Sequence, residues 1–316
     1  MFSGPVWSKY EPGKACSDSK GRPGRSFLCS NSMTNYSLGL TGYPLGHSLS
    51  PRIHAAALQA AGLQGQYKLY PVSPDDLAAL AALIERVRSG ELDGLNVTIP
   101  HKQAVMGLID GCSETAQRIG AVNTIYRLDC KVMGDNTDAP GFLSDLIRFF
   151  EREQFHASGK RHALVLGAGG SARAVVYALL NDGWHVTIAA RRPQQAAALA
   201  ADLGVGHQAE GRSTVDLAAL SKDGVDLLVN TTPIGMYPAV EDNPWPQGLE
   251  LPAQAAIYDL IYNPVEKGLV NLARQAGLPA QNGLGMLIEQ AALAFERWTG
   301  QNGSRHAMLE AAGASF

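Results

Sequence analysis

The stretch Leu164-Val165-Leu166-Gly167-Ala168-Gly169-Gly170-Ser171-Ala172 constrains the fold more than any other part of this 316-residue chain. A short apolar run leads into a glycine turn, a helical pattern over 171–181 and a second apolar run at 186–189. That order reads as strand, turn, helix, strand, and the glycines follow the G-x-G-x-x-A form of the dinucleotide fingerprint. Gly167 permits the tight turn, Gly169 lets the backbone approach a pyrophosphate, and the small Ala172 lets the helix close on the strand. Free N–H groups and the positive end of the helix then face the phosphates. Candidate cofactor residues are Gly167, Ala168, Gly169, Gly170, Ser171 and Ala172.

The same alternation runs along most of the chain. Strands are expected at 36–41, 66–72, 94–99 and 122–127, and again at 163–166, 186–189, 226–229 and 256–260. Between the early strands, Ser50-Pro51 opens a helix, with Ser50 as N-cap and Pro51 at the first helical position. Ser73-Pro74-Asp75-Asp76 opens another, which stops at Gly90. Alternating strands and helices imply a parallel α/β layer. Further helices are expected over 142–150, 194–203 and 284–298, and the polar stretch 151–161 reads as a linker or helix end. At about 150 residues per domain the length corresponds to roughly two domains.

Composition removes several functions. Lys+Arg number 26 against 29 Asp+Glu, a formal charge of −3, whereas a phosphate-contacting nucleic-acid binder carries a basic excess. No run approaches the ~20 apolar residues of a membrane-spanning helix. Cys16, Cys29, Cys112 and Cys130 form no C-x-x-C pair and no zinc-spaced cluster, so they are expected to be reduced thiols of a cytosolic protein. Residues 1–33 are rich in Gly, Ser, Pro and basic residues without apolar periodicity. They are expected to be a disordered or mis-annotated extension, with translation starting at Met33, which an intact mass of the native protein would check.

Nicotinamide cofactors are distinguished after the second strand of such a unit, where NAD sites usually carry an acid. Here Ala189-Ala190-Arg191-Arg192 offers no acid and two guanidinium groups, which suit the 2′-phosphate of NADP. Arg191, first after the strand, is the better candidate, and Arg192 is secondary. Polar groups crowd the strand ends of the first half. Asn96 and Thr98 fall on the same side by the two-residue period, as a small polar ligand requires. Lys102 follows Pro100 and is expected in the first turn of a helix, where the dipole disfavours a cation. A lysine so placed, with a carboxylate partner, can exchange protons near neutral pH; a solvated helix-start lysine is the alternative.

These residues carry a resemblance. The motifs Ser48-Leu49-Ser50-Pro51, Asn96-Val97-Thr98-Ile99-Pro100-His101-Lys102, Ala121-Val122-Asn123-Thr124 and Asn136-Thr137-Asp138 occur in order before the glycine loop. Asn230-Thr231-Thr232-Pro233, Asp259-Leu260-Ile261-Tyr262-Asn263-Pro264 and Gly285-Met286-Leu287-Ile288-Glu289-Gln290 follow it. Together, over about 36–300, the chain resembles the shikimate dehydrogenase family. The resemblance implies NADPH-dependent, reversible reduction of 3-dehydroshikimate to shikimate in chorismate and aromatic amino-acid biosynthesis, in the cytoplasm. It implies Lys102 and Asp138 as the catalytic pair, and Ser48, Ser50, Asn96, Thr98, Asn123, Tyr262 and Gln290 around the substrate. It adds Thr231 and Gly283 to the NADP(H) site. No metal is expected, because the cofactor carries the chemistry. His47 and His101 are expected to be surface or capping residues.

The implied architecture is α/β with two domains. An N-terminal α/β substrate domain takes 34–137 plus 283–316, and a Rossmann-like doubly wound parallel-sheet NADP domain takes 138–282. The final helix is expected to cross back onto the first domain and bring Gln290 to the cleft. The resemblance departs at Ala190-Arg191-Arg192, where family members often have Asn-Arg-Thr, and at Gln195, near a later family Arg. That implies a looser hold on the 2′-phosphate and some NAD use. A quinate/shikimate dehydrogenase of broader specificity is the alternative, disfavoured by Ser50, where some such enzymes have Thr; a non-catalytic cofactor-binding regulator is opposed by the Lys102/Asp138 pair. Partners are expected to be small molecules, not nucleic acid or membrane, and the chain a monomer or homodimer.

Overall fold

The structure, a computed structural model, describes residues 35–157, 159–204, 208–222, 224–237, 239–263 and 268–313. The expected N-terminal extension with Met33, Cys16 and Cys29, and Pro264 of the later motif, lie outside the described residues.

The chain begins with β1 (Asn35–Gly42), α1 (Ser50–Ala60), β2 (Gln64–Pro71), α2 (Leu77–Arg88) and β3 (Gly94–Val97). Then come β4 (Gly111–Cys112), α3 (Glu114–Ile119), β5 (Thr124–Leu128) and β6 (Lys131–Asp135). These strands form one sheet in the order β2-β1-β3-β5-β6-β4. β1 pairs in parallel with β2 and β3, but β5 is antiparallel to both β3 and β6. The expected parallel layer is therefore mixed. The reason is local: β5 and β6 are joined by the two residues Asp129-Cys130, with Asp129 at φ 55, a connection that only an antiparallel pair can use.

The helix α4 (Asp138–Glu153) leads to a second sheet. It comprises β7 (His162–Leu166), α5 (Gly170–Asn181), β8 (His185–Ala190), α6 (Pro193–Leu203), β9 (Ala209–Ser213) and α7 (Leu217–Leu220). β10 (Leu227–Asn230), β11 (Ala256–Asp259), α8 (Gly268–Gln275) and β12 (Ala280–Asn282) complete it. All pairings are parallel in the order β12-β11-β10-β7-β8-β9. This is the doubly wound arrangement, with its switch point between β7 and β10, where ligands bind beyond the strands' carboxyl ends. One face of the sheet is covered by α4, α5 and α6 through Phe142, Phe149, Val175 and Leu199. The other is covered by Leu217, Trp245, Leu269 and Val270.

The chain ends with α9 (Leu284–Thr299) and α10 (Arg305–Ala311). As expected, α9 returns to the first sheet: its Ile288, Ala291, Ala292 and Phe295 pack with Ile53, Ala57 and Leu58 of α1. Met286, near its start, belongs to the core of the second sheet.

The local signal at the start of α1 differs from the expectation. Leu49, not Ser50, stands at the N-cap position of α1, and makes no side-chain cap bond; Ser50 is the first helical residue, which frees its hydroxyl. α2 is capped by Asp76, whose side chain accepts from Ala79 N at 2.9 Å. Of the cysteines among the described residues, Cys112 is a free thiol, whereas Cys130 is disulfide-bonded, against the expectation of reduced thiols. No helix among the described residues is long and apolar enough to cross a membrane.

Candidate active site

The loops at the carboxyl ends of both sheets converge on one cleft of about 430 Å³. From the second sheet it is lined by Gly167–Ser171 after β7, Arg191 and Arg192 after β8, and Thr231 and Thr232 after β10. From the first it is lined by Ile99, Pro100 and Lys102. Gly167 sits at φ +109, and a Cβ there would lie 2.6 Å from Thr231 Oγ1, so both conformation and space demand glycine. Thr231 Oγ1 in turn donates to Leu166 O at 2.6 Å, tying the two switch-point strands. A Cβ on Gly169 would meet nothing within 4 Å, so the turn is an open cradle at the amino end of α5. These residues fit a dinucleotide pyrophosphate. Arg191 and Arg192 are exposed at the start of α6, next to Gln195 and Thr214, which also line the cleft. Two expected cofactor residues do not line it. Ala172, the third residue of α5, is fully buried in the core against the second sheet. Gly283 faces backbone instead: a Cβ there would lie 2.1 Å from Leu260 O.

At the cleft's inner edge Lys102 Nζ donates to Asp138 Oδ2 at 2.6 Å, with the two side chains 9% and 7% exposed. Lys102 lies in a turn before a short 3₁₀ helix, Ala104–Gly107, not in an α-helix. The expected helix dipole is therefore absent, and its environment is set by Asp138. The turn is pinned by His101, which is buried, not on the surface, with its ring at 2.8 Å from Val72 O. Asp138 opens the 16-residue α4, where the helix's positive end favours a carboxylate.

Asn123 links most of the remaining groups. Its Nδ2 donates to Asp138 Oδ1 at 2.8 Å and to Gln290 Oε1 at 3.3 Å, and its Oδ1 accepts from Thr137 N at 2.7 Å. Asn96 Nδ2 donates to Asn123 O at 3.1 Å and Asn96 Oδ1 accepts from Tyr67 OH at 2.8 Å. Tyr67 touches the Ser50 side chain, and burial pushes its phenol well up. Ser48 Oγ accepts from Ser50 N at 3.2 Å and also contacts Tyr262, whose phenol is likewise raised by burial. Thr98 stands one residue past β3, half-buried, with its N–H bonded to Thr41 O at 2.9 Å. A hydrogen-bonded path thus runs from Tyr262 and Ser48 through Ser50, Tyr67, Asn96 and Asn123 to the Lys102–Asp138 pair.

Sequence reasoning passed over four groups here: Tyr67, His54, Thr124 and Thr137. The last two stand inside motifs already singled out, and Thr124 Oγ1 accepts from Asn96 Nδ2 at 3.3 Å. Tyr67 and His54 are core residues whose rings stack at 4.4 Å, which no spacing rule announces. His47, exposed, meets Tyr237 of the loop after β10 at 3.7 Å between ring centroids.

A doubly wound sheet that presents its phosphate turn to a buried lysine–carboxylate pair defines a nicotinamide-dinucleotide oxidoreductase. Comparison with known proteins narrows the class. Residues 40–125 match the model of the shikimate dehydrogenase substrate binding domain, and 283–312 that of the shikimate 5′-dehydrogenase C-terminal domain. A shikimate dehydrogenase (NADP(+)) of Salinibacter ruber is 42% identical over 278 residues, 86% of this chain and 95% of its own. Shikimate 5-dehydrogenase from Thermus thermophilus, solved in complex with NADP(H) and shikimate, superposes with a TM-score of 0.75 at 38% identity, over 88% of this chain and 98% of that one. Quinate dehydrogenase from Corynebacterium glutamicum in complex with NAD gives 0.76 at 31% identity, over 88% and 99%. The chain belongs to the shikimate dehydrogenase family.

Proposed function

We propose that this chain is an NADP-dependent shikimate dehydrogenase, reducing the ring ketone of 3-dehydroshikimate to the alcohol of shikimate and running in reverse, as a step of chorismate and aromatic amino-acid biosynthesis in the cytoplasm. The observation that carries this reading is the buried 2.6 Å Lys102–Asp138 contact at the inner edge of a dinucleotide cleft. When bound, the cofactor supplies the hydride. The chain supplies the proton and the frame. Lys102 Nζ donates to the ketone oxygen as negative charge develops there, and Asp138 holds the ammonium and accepts from the neighbouring substrate hydroxyl. Asn123 and Gln290 hold hydroxyls on the same side, with Asn96 and Thr98 beside them. Ser48, Ser50 and Tyr262 take the carboxylate: hydroxyl donors, two of them phenol-backed, suit an anion in a partly buried site. Residues 34–137 plus 283–316 serve substrate and 138–282 serve cofactor. The backbone N–H groups of Gly167–Ser171 cradle the pyrophosphate, and Arg191, aided by Arg192, takes the 2′-phosphate.

The test is steady-state oxidation of shikimate and of quinate, each with NADP and with NAD. Shikimate with NADP is expected to give the highest kcat/KM. Lys102→Ala is expected to lower kcat by about 100-fold or more with KM changed only a few-fold, as for a proton-transfer group. An unchanged kcat removes Lys102 from the chemistry. A quinate/shikimate enzyme is the second reading. It is favoured by Gln195 at the rim, which stands near a position where the family pattern often carries Arg, and quinate turnover with NAD would establish it.

A further inference from the structure

Lys102 is shaped by the opposite sheet as much as by its own. A Cβ built on Gly170 would lie 3.0 Å from Lys102 Cβ and 3.3 Å from its Cδ, so the lysine stem lies along the glycine turn. At the end of that stem, Nζ donates to Ser171 Oγ at 3.1 Å, as well as to Asp138 at 2.6 Å. Ser171 is the second residue of α5. Two residues further along the same helix, Arg173 Nε donates to Ile119 O at the end of α3. The helix that carries the Ser171 hydroxyl is therefore tied to the first sheet's elements at a second point.

An ammonium has three protons to donate. Two are directed by Asp138 at the start of α4 and Ser171 at the start of α5, which fixes the direction of the third. We propose that Ser171 is a positioning residue for Lys102, aiming the remaining N–H at the reacting oxygen, so that the loop that cradles phosphate also orients the proton donor. The inference rests on Lys102 as that donor. Its consequence is that Ser171 acts on turnover rather than on the affinity of either ligand.

The experiment compares the full-length wild type with Ser171→Ala and Ser171→Thr. It measures kcat and KM for shikimate at saturating NADP, and the Kd of NADPH by fluorescence titration without substrate. Ser171→Ala is expected to lower kcat by roughly tenfold, the effect of removing one hydrogen bond to a charged group. KM for shikimate and Kd for NADPH are expected to stay within about twofold, and Ser171→Thr, which keeps the hydroxyl, to restore most of kcat. A raised Kd with unchanged kcat overturns the proposal, because Ser171 then serves the cofactor alone. A loss of kcat that threonine does not restore overturns it too. A wild type without shikimate turnover fails the underlying reading; an active wild type indifferent to Ser171→Ala fails this inference alone.

Discussion

At the scale of single residues, the molecule keeps ionisable groups in places that stability alone does not favour. A buried lysine–carboxylate pair such as Lys102–Asp138 rarely outperforms an apolar pair in stability, because desolvation offsets the attraction. Its position at the cleft therefore argues for chemistry. His54 is a different case. It is fully buried and stacked on Tyr67, and no hydrogen bond of ordinary geometry reaches its ring nitrogens, although the Asn96 side chain lies close enough to favour the proton. Burial lowers its pKa from 6.5 to about 3, with Asn96 offsetting only part of the effect. The sign follows from proton uptake: as pH falls below about 6.5 the unfolded chain binds a proton that the folded ring refuses, so stability is lost down to about pH 3. At pH 5 this one group costs about 2 kcal/mol. His54→Phe keeps the stack and removes the ring nitrogens. The difference in melting temperature between pH 7.5 and pH 5 is expected to shrink in that variant; an unchanged difference would clear His54 of the effect.

At the scale of elements, the crossing of α4 and α9 sets the site. α4 carries Asp138 and α9 carries Gln290, and both helices also contribute to the core of the second sheet through Phe142 and Met286. They approach closely because Gly141 faces α9: a Cβ there would lie 2.9 Å from Gln290 N and 3.0 Å from Gln290 Cβ. Near the other end of the contact Asp145 accepts from Tyr258 OH at 2.6 Å and from Gln281 at 2.5 Å, fastening α4 to β11 and β12. Gly141→Ala is expected to push the helices apart, costing about 1–3 kcal/mol of stability as overpacking does. Because Gln290 moves with α9, KM for shikimate should rise several-fold while kcat changes less. Thermal melts and steady-state kinetics check the two effects, and an unaltered KM would separate Gly141 from the site.

At the scale of the whole molecule, two six-stranded sheets present their carboxyl ends to one cleft, and α9 packs in the cores of both. That shared helix predicts one cooperative thermal transition. A ligand that binds only the folded form stabilises it by about 2.7 kcal/mol at 100 times its Kd, so saturating NADP should move the single transition upward by a few degrees. Two transitions, with only one responding to NADP, would show that the sheets unfold independently. Arg191→Ala is expected to raise KM for NADP about tenfold or more and leave KM for NAD nearly unaltered, since only the former carries the phosphate.

The doubly wound sheet and its cofactor loop were readable in the chain because they rest on neighbours in sequence: apolar run, Gly167, Gly169, Ala172 and the next apolar run. The meeting of Lys102 with Asp138 was readable too, through motifs whose order matches a family. The polar strands β6 and β9, the two-residue β4 and the three-residue β12 were missed: Lys131–Asp135 and Ala209–Ser213 carry little apolar alternation, β4 and β12 are too short to show a period, and all four are made strands by the neighbours they pair with. Only the tertiary structure decided that the first sheet is mixed, that His101 is buried against Val72, and that Lys102 leans on Gly170 and Ser171. Sequence reports what a residue can do within a few positions of itself. Which oxygen a lysine meets 36 or 69 residues away depends on how two sheets and their shared helices close on one another.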